Sequence, residues 1–566
     1  MAGLAKTMPD TSCCRRVVVL GLDGAPPHLL RQWADQGHLP AFARLYREGA
    51  WGTMQSTPQP HSAPAWSSFA TGLNPGRHGI FSFMNRLPRS YDCRRIDALD
   101  RHGQTFWDVA GACGRRCAVL NVPVTYPVTA VNGVQIGDWL CPSLQAPGAT
   151  HPPELAQELG QRVGEYRFHA DVKRHVIAGR HRKALENLRQ GIAQKAEVGR
   201  WVWDREPWDL YVLVFVETDA AQHYYLHTGD ERHPLHAQAV QSGLDGALLA
   251  LYRQVDEVLA DLMSRLGDDT TLLVVSDHGA TANSRGRCFM RSFLRNVGVL
   301  HMRPPGGPGE RLRRCLVQGR KWAFELANAH LPKSLKVKLN RLLPQARERV
   351  FADSFTVDVD WSRTRAYSYY WETDPFVNLR GRDPDGIVDP GDEYEEVCRY
   401  VADFLRAARE LRSGRPAVQD VRLKDGQFYG PFADLGPDLI VDWTENQIIE
   451  GLVVQVDGKE RVARADLRDD TIGAHHPEAL LLAWGAGVKP GEISAEASIM
   501  DLAPSVLALL GCPVPAGLDG QPLESMLDIT VETAEVRGLA AEAPATVYTA
   551  DEEAEVEDRL RNLGYL

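Results

Sequence analysis

VVVLGLDG, residues Val17–Gly24, is an apolar run that stops abruptly at a carboxylate and a glycine. The same build recurs in LYVLVFVETDAAQH (Leu210–His223) and TLLVVSDHG (Thr271–Gly279). Short apolar runs bounded by polar loops suit strands of a parallel sheet buried on both faces. Helix-length amphipathic stretches lie between them, near His28–Glu48, Thr105–Ala112 and Ala239–Leu266. Further strand-like runs are Cys117–Asn121, Leu439–Asp442 and Leu480–Trp484. This alternation predicts an α/β sheet with helices on both faces. Ligands of such sheets bind beyond the carboxyl ends of the strands, where these polar motifs fall.

A chain of 566 residues would ordinarily divide into about three or four domains of roughly 150 residues. The motifs run from Asp23 to His475, so pieces from both ends must meet in one site. We therefore expect one large domain, residues 17–528, after a 16-residue extension and before a tail, 529–566, that ends as an acidic helix. Three stretches read as insertions, at about 152–205, 301–350 and 384–435. The second carries 12 Lys or Arg against three Glu. It is either a solvated helical face or a basic lid over an anionic substrate.

Hydrophobic and charged contents of 44% and 24% are those of a globular protein, and a net charge of −11 gives no reason to expect a nucleic-acid polymer as partner. The ten cysteines are scattered without a CxxC pair, which predicts reduced thiols and a cytoplasmic setting. The first 16 residues contain no apolar h-region, so no signal peptide is expected. No run approaches the ~18 apolar residues of a membrane span.

The motifs offer three Asp, at least three His and one Ser. Carboxylates and neutral imidazoles are ligands for zinc or manganese, and two such ions about a hydroxyl suit phosphoryl transfer. Asp23 ends the first strand; the alternative role is a helix cap. Ser62, in HSAPAWSSF, precedes Pro64, which fits the first turn of a helix. Its hydroxyl would then lie where amide donors favour an anion, or would simply cap the helix. His61 is read as structural. Asp219 and His223 are spaced to point the same way from one helical turn. Asp277 and His278 are adjacent, so sharing one ion needs a bent backbone. In GAHHPE, spacing does not choose between His475 and His476.

At these residues the chain resembles the alkaline-phosphatase superfamily. It is most similar to type I phosphodiesterase/nucleotide pyrophosphatase proteins, especially the bacterial group of phosphohydrolases or phosphomutases. GLDG, PAWSSFATGLNPGRHGI, SDHG, VNLRGRDPDGIV (Val377–Val388), PDLIVDW (Pro437–Trp443), DLAPSVLALLGCPVP (Asp501–Pro515) and the terminal RLRNLGYL carry the resemblance. It implies an alkaline-phosphatase-like three-layer α/β/α sandwich with a mostly parallel central sheet and helical or cap insertions. It implies two divalent metals, zinc first and manganese next. Asp219, His223 and His475 would hold one; Asp23, Asp277 and His278 would hold the other, with Ser62 as nucleophile bridging towards it. His475 is chosen because the family motif is Gly-X-His, matching Gly473-Ala474-His475. The implied substrate is a small phosphorylated molecule.

Two departures stand out. Nucleotide pyrophosphatases carry Thr in a Thr-Phe-Pro-Asn run, which here reads Ser62-Ala63-Pro64-Ala65. Their phosphate-holding Asn follows a His-Gly-Ile/Val run closely, whereas the first Asn here is Asn85. A sulfatase is not expected, because Trp66 stands where that motif needs Arg and Asp23 is followed by Gly24. The competing readings are a phosphomutase and a non-catalytic scaffold. A scaffold would not need to retain all six ligands and the hydroxyl.

Overall fold

The valine run forms the first strand of a nine-stranded sheet, and its residues after Arg16 are all buried. A computed structural model describes residues 16–282, 286–287, 289–303, 358–369, 373–464, 467–468, 471–493, 497–535, 552–553, 556 and 559–560. The strands that matter for the site are β1 (Arg16–Leu22), β2 (Ala50–Gln55), β3 (Cys117–Leu120), β4 (Gly133–Ile136), β5 (Thr150–His151), β6 (Leu210–Phe215), β7 (Thr270–Val275), β8 (Gly279–Ala282), β9 (Gly473–His476), β10 (Glu478–Gly485) and β11 (Gly491–Glu492). The large sheet runs β11-β2-β10-β7-β1-β6-β3-β4-β5.

Strands β7, β1, β6, β3 and β4 are mutually parallel. Leu22 lies beside Phe215, and Gly21 beside Val275. The carboxyl ends of β1, β6 and β7 are therefore level, and the loops that follow them meet. Strand β10 enters antiparallel beside β7. Strands β8 and β9 form a separate antiparallel pair above that edge, with Ala280 opposite His475.

The supporting helices include α1 (Ser62–Thr71), α2 (His181–Trp203), α3 (Glu217–Tyr225) and α4 (Ala247–Ser264). Helix α4 packs on α2, α3 and helix Pro40–Glu48, while α1 packs with helices Phe106–Ala112 and Leu502–Leu509. One buried apolar cluster joins both groups to the sheet, which is the expected three-layer arrangement. Two expected long helices are split. Residues 28–48 form Pro27–Asp35 and Pro40–Glu48, because Gly37 turns left-handed at φ 77° and Pro40 has no N–H to continue the first helix. Residues 239–266 break at the left-handed Gly243 and Gly246 before α4 begins.

A second apolar cluster gathers residues between Phe289 and Ala463, with Tyr91 added. It holds helix Asp392–Ala407 and the hairpin of Val418–Leu423 with Leu439–Trp443. Residues 384–435 thus mix helix and strand. The 152–205 segment is helical, and α2 packs on β6 and α3. Residues 304–350 of the basic stretch lie outside the described residues, as does most of the tail. Within the tail, Val556 and Leu560 are buried, and Arg559 Nη1 donates to the Trp139 carbonyl at 3.1 Å. Among the described residues no helix is long and apolar enough to cross a membrane.

Candidate active site and metal centre

The level strand ends bring Asp23, Asp219, Asp277 and His278 together, all buried. Gly24 makes the crowding possible. It is left-handed, at φ 66°, and an added Cβ would stand 2.9 Å from Asp219 Oδ1. Its N–H donates to Asp277 Oδ1 at 3.0 Å. The Thr218 hydroxyl donates to the Asp23 carbonyl at 2.6 Å, fixing the start of α3 against the end of β1.

The first group of donors comes from α3 and β9. His223 Nε2 is 3.4 Å from Asp219 Oδ1 and 3.2 Å from His475 Nε2, which is itself 3.7 Å from Asp219 Oδ1. In the second group, His278 Nε2 is 3.3 Å from Asp277 Oδ2 and 3.7 Å from Asp23 Oδ1. A tetrahedral zinc ion with bonds near 2.0–2.1 Å would separate its ligand atoms by ~3.3 Å. The spacing fits. The groups adjoin, because ligand atoms of Asp219, His475 and His278 also lie within 4.8 Å of one another. His278 therefore stands between the two groups.

The imidazoles are oriented from behind. His223 Nδ1 donates to the Gly473 carbonyl at 2.8 Å, and His278 Nδ1 to the Gly279 carbonyl at 2.9 Å. Those bonds leave each Nε2 as the lone-pair nitrogen, a common tuning of metal-binding histidines. The loop between β7 and β8 supplies the bend that lets Asp277 and His278 share one group. On β9, neighbouring side chains alternate in direction. His475 turns into the cluster, and His476 turns out to pair with Glu445 at 3.0 Å.

Electrostatics point the same way. Burial, then the Asp277 and Asp219 charges, push the Asp23 carboxyl well above its ordinary value. Burial also raises Asp277. At Asp219 burial acts upwards too, but His223, His475 and His278 outweigh it and the carboxyl is lowered. The buried Asp277 Oδ2 accepts no hydrogen bond among the described residues. Carboxylates so placed are stabilised by a cation, whose charge reverses the usual effect of burial.

Ser62 is the first residue of α1, and the cap is His61, whose Nδ1 accepts from the Ala63 N–H at 3.3 Å. Ser62 Oγ is thereby released from capping. It lies 3.1 Å from Asp23 Oδ1 and 3.1 Å from His278 Nε2. The His61 ring is held neutral, its pKa lowered to about 3 by burial and by His278. Asn85 is occupied within its own loop: Oδ1 accepts from the Phe81 and Ser82 N–H groups, and Nδ2 donates to the Gly79 carbonyl.

Sequence reasoning missed Trp66, whose Nε1 donates to Asp23 Oδ2 at 3.0 Å. A tryptophan two residues after a helix proline carries no spacing signal. A cavity of about 880 Å³ opens beside His61, His223 and His475.

Parallel strands ending in this Asp and His cluster, between two helical layers, define an alkaline-phosphatase-like α/β/α protein. The sequence pattern of type I phosphodiesterase/nucleotide pyrophosphatase matches residues 17–478, and the chain belongs to that family of phosphoester hydrolases. Phosphonoacetate hydrolase from Sinorhizobium meliloti 1021, solved with phosphonoformate, shares the fold. It is 15% identical at a TM-score of 0.50, over 88% of this chain and 96% of that one. Murine ectonucleotide pyrophosphatase/phosphodiesterase 5 aligns over 88% of this chain and 95% of its own, at 13% identity and a TM-score of 0.45. No curated protein sequence matches the chain.

Proposed function

We propose that the protein hydrolyses a small phosphodiester or phosphomonoester through a covalent phosphoseryl enzyme at Ser62. The carrying observation is the Ser62 hydroxyl, 3.1 Å from both Asp23 Oδ1 and His278 Nε2 at the N-terminus of a ten-residue helix. Asp219, His223 and His475 would hold one divalent ion, and Asp23, Asp277 and His278 the other. Zinc suits this imidazole-rich set first and manganese second. When bound, the ions supply activation of the oxygen nucleophiles and stabilisation of developing charge.

The remaining work falls to the chain. Asp23, itself braced by Trp66, aims the Ser62 oxygen at phosphorus. The first-turn amides of α1 face the anionic phosphoryl group as it passes from leaving alcohol to serine. Neutral His61 and His475 keep this mouth free of extra positive charge. Water then cleaves the seryl phosphate and restores the hydroxyl. Among the described residues Cys113, Cys117, Cys141, Cys398 and Cys512 are free thiols, which supports a reducing, cytoplasmic setting.

The test is turnover of p-nitrophenyl phosphate and bis(p-nitrophenyl) phosphate by zinc- or manganese-reconstituted protein, with product analysis. Released alcohol together with phosphate or a monoester is expected, and Ser62→Ala should remove nearly all of it. Transfer of the phosphoryl group within one substrate would favour a mutase, and no turnover with either metal would reject the proposal.

A further inference from the structure

The tail ends in RLRNLGYL, whose first residue is Arg559. That arginine is 5% exposed. Its guanidinium closes on a single turn. Nη1 donates to the carbonyls of Trp139, at 3.1 Å, and Cys141, and Nη2 donates to the Pro142 carbonyl at 2.6 Å. Val556 and Leu560 are buried beside it, and Arg95 Nη1 holds the Glu553 carbonyl at 3.0 Å. A buried cation is costly unless charge-assisted bonds satisfy it, and a planar fork suits several acceptors at once.

The turn that Arg559 grips follows β4 at the carboxyl edge of the sheet, the edge that carries the site. Buried Asp138 fixes the same turn from within. Its Oδ1 accepts from the Leu140 N–H at 3.3 Å and its Oδ2 from the Val124 N–H at 2.6 Å. Val124 stands at φ 59° and Asn121 at φ 60°. A β-branched residue is left-handed only where its surroundings hold it there. The side chain so placed is Trp139. Its ring packs edge-on against Phe83 with centroids 4.7 Å apart, and Phe83 packs against His61 at 5.1 Å. His61 in turn takes the Ala63 N–H in the first turn of α1.

We propose that Arg559 is a positioning residue for the phosphoryl transfer, holding the Trp139 and Phe83 rings against His61 so that His61 keeps its grip on the first turn of α1 and Ser62 stays aimed at phosphorus. The tail is then a working part of the site. Without the guanidinium, three carbonyls of the turn lose a donor and the Trp139 ring loses its backing. His61 can then leave the Ala63 N–H, and the turn that carries Ser62 loosens beside Asp23. This inference rests on the phosphoester-hydrolase reading of Ser62.

A chain of contacts amounts to coupling only where a change at one end moves the other. The test compares wild type, Arg559→Ala, Arg559→Lys and Trp139→Leu as zinc-loaded full-length protein. With bis(p-nitrophenyl) phosphate, Arg559→Ala should lose about tenfold or more in kcat while KM stays within about twofold, because a misplaced nucleophile costs rate and not binding. Zinc content should not change. NMR spectra of isotope-labelled histidine give a readout independent of turnover. With Nδ1 accepting from Ala63, the neutral His61 ring carries its proton on Nε2. That signal, identified by its loss in His61→Asn, should shift towards the average of the two tautomers in Arg559→Ala and in Trp139→Leu. Arg559→Lys keeps the charge without the fork and should show both losses in part, so it decides if Arg559→Ala does not fold. Wild-type kcat and an unmoved His61 signal in the Arg559 variants, with only lower thermal stability, would make the tail a structural strap and overturn the proposal. An unmoved His61 signal in Trp139→Leu, or loss of zinc along with the activity, would overturn it too. If the wild type turns nothing over, the hydrolase reading falls alone, and the His61 signal still decides whether Arg559 positions this helix.

Discussion

Gly24→Ala should destabilise the protein more than Gly37→Ala, although both glycines are left-handed, at φ 66° and 77°. At Gly37 an added Cβ meets nothing within 4 Å. Only the backbone penalty for an L-residue applies there, about 1–2 kcal/mol. At Gly24 the same methyl would press on Asp219, 2.9 Å from Oδ1 and 3.2 Å from Cα. Overpacking of that kind adds about 1–3 kcal/mol, so Gly24→Ala should cost about 2–5 kcal/mol in all. The unfolded chain stiffens equally in both variants, so that term cancels in the comparison. The displaced carboxylate is a proposed metal ligand, and zinc affinity should fall about tenfold or more. Denaturant unfolding with the metal removed gives the first quantity, and chelator competition gives the second. Equal stability losses in the two variants, with unchanged zinc affinity in both, would refute this account of the GLDG motif.

His475→Ala should lower the zinc stoichiometry by one ion and abolish turnover, whereas His476→Ala should keep most of both; metal analysis with steady-state kinetics decides, and the reverse pattern would move the ligand by one residue. Lys195 Nζ and Glu217 Oε1 form a fully buried pair at 2.6 Å. Lys195→Met should therefore cost about 3–5 kcal/mol by stranding the Glu217 charge. Adding Glu217→Gln should recover a large part of that loss in the same unfolding assay. The exposed Cys113 thiol is lowered to about 7 by a hydrogen bond from Cys512. Its thiolate is the reactive form and is lost as the pH falls through 7. Mass-spectrometric mapping after brief alkylation at pH 7.5 should find Cys113 modified before Cys93, Cys117, Cys141 and Cys398, and Cys512→Ala should slow it.

What the sequence carried was local. Valine-rich runs stopping at Asp announced buried parallel strands and the acidic ends that face the site, because burial on both faces and a sharp polar stop are written in consecutive residues. The breaks at Gly37 and Gly243 were written there too, but the apolar period of the flanking helices masked them. The Ser62 environment was legible only in part. Pro64 marked the helix start, whereas capping by His61 depends on a side-chain rotation that no spacing encodes. Long-range partners were the least legible. Arg382 of the NLRGRDPDG motif makes two 2.7 Å bonds to Asp438 of the PDLIVDW motif, 56 residues away. Either motif alone reads as a polar turn.

The central claim is that Ser62 takes the phosphoryl group before water does, and stereochemistry at phosphorus tests it most directly. A chiral phosphorothioate diester hydrolysed in isotopically labelled water by the zinc-loaded enzyme should give a product of retained configuration, because two in-line displacements occur. Inverted configuration would mean a single attack by water, and Ser62 would then be no more than the first residue of its helix.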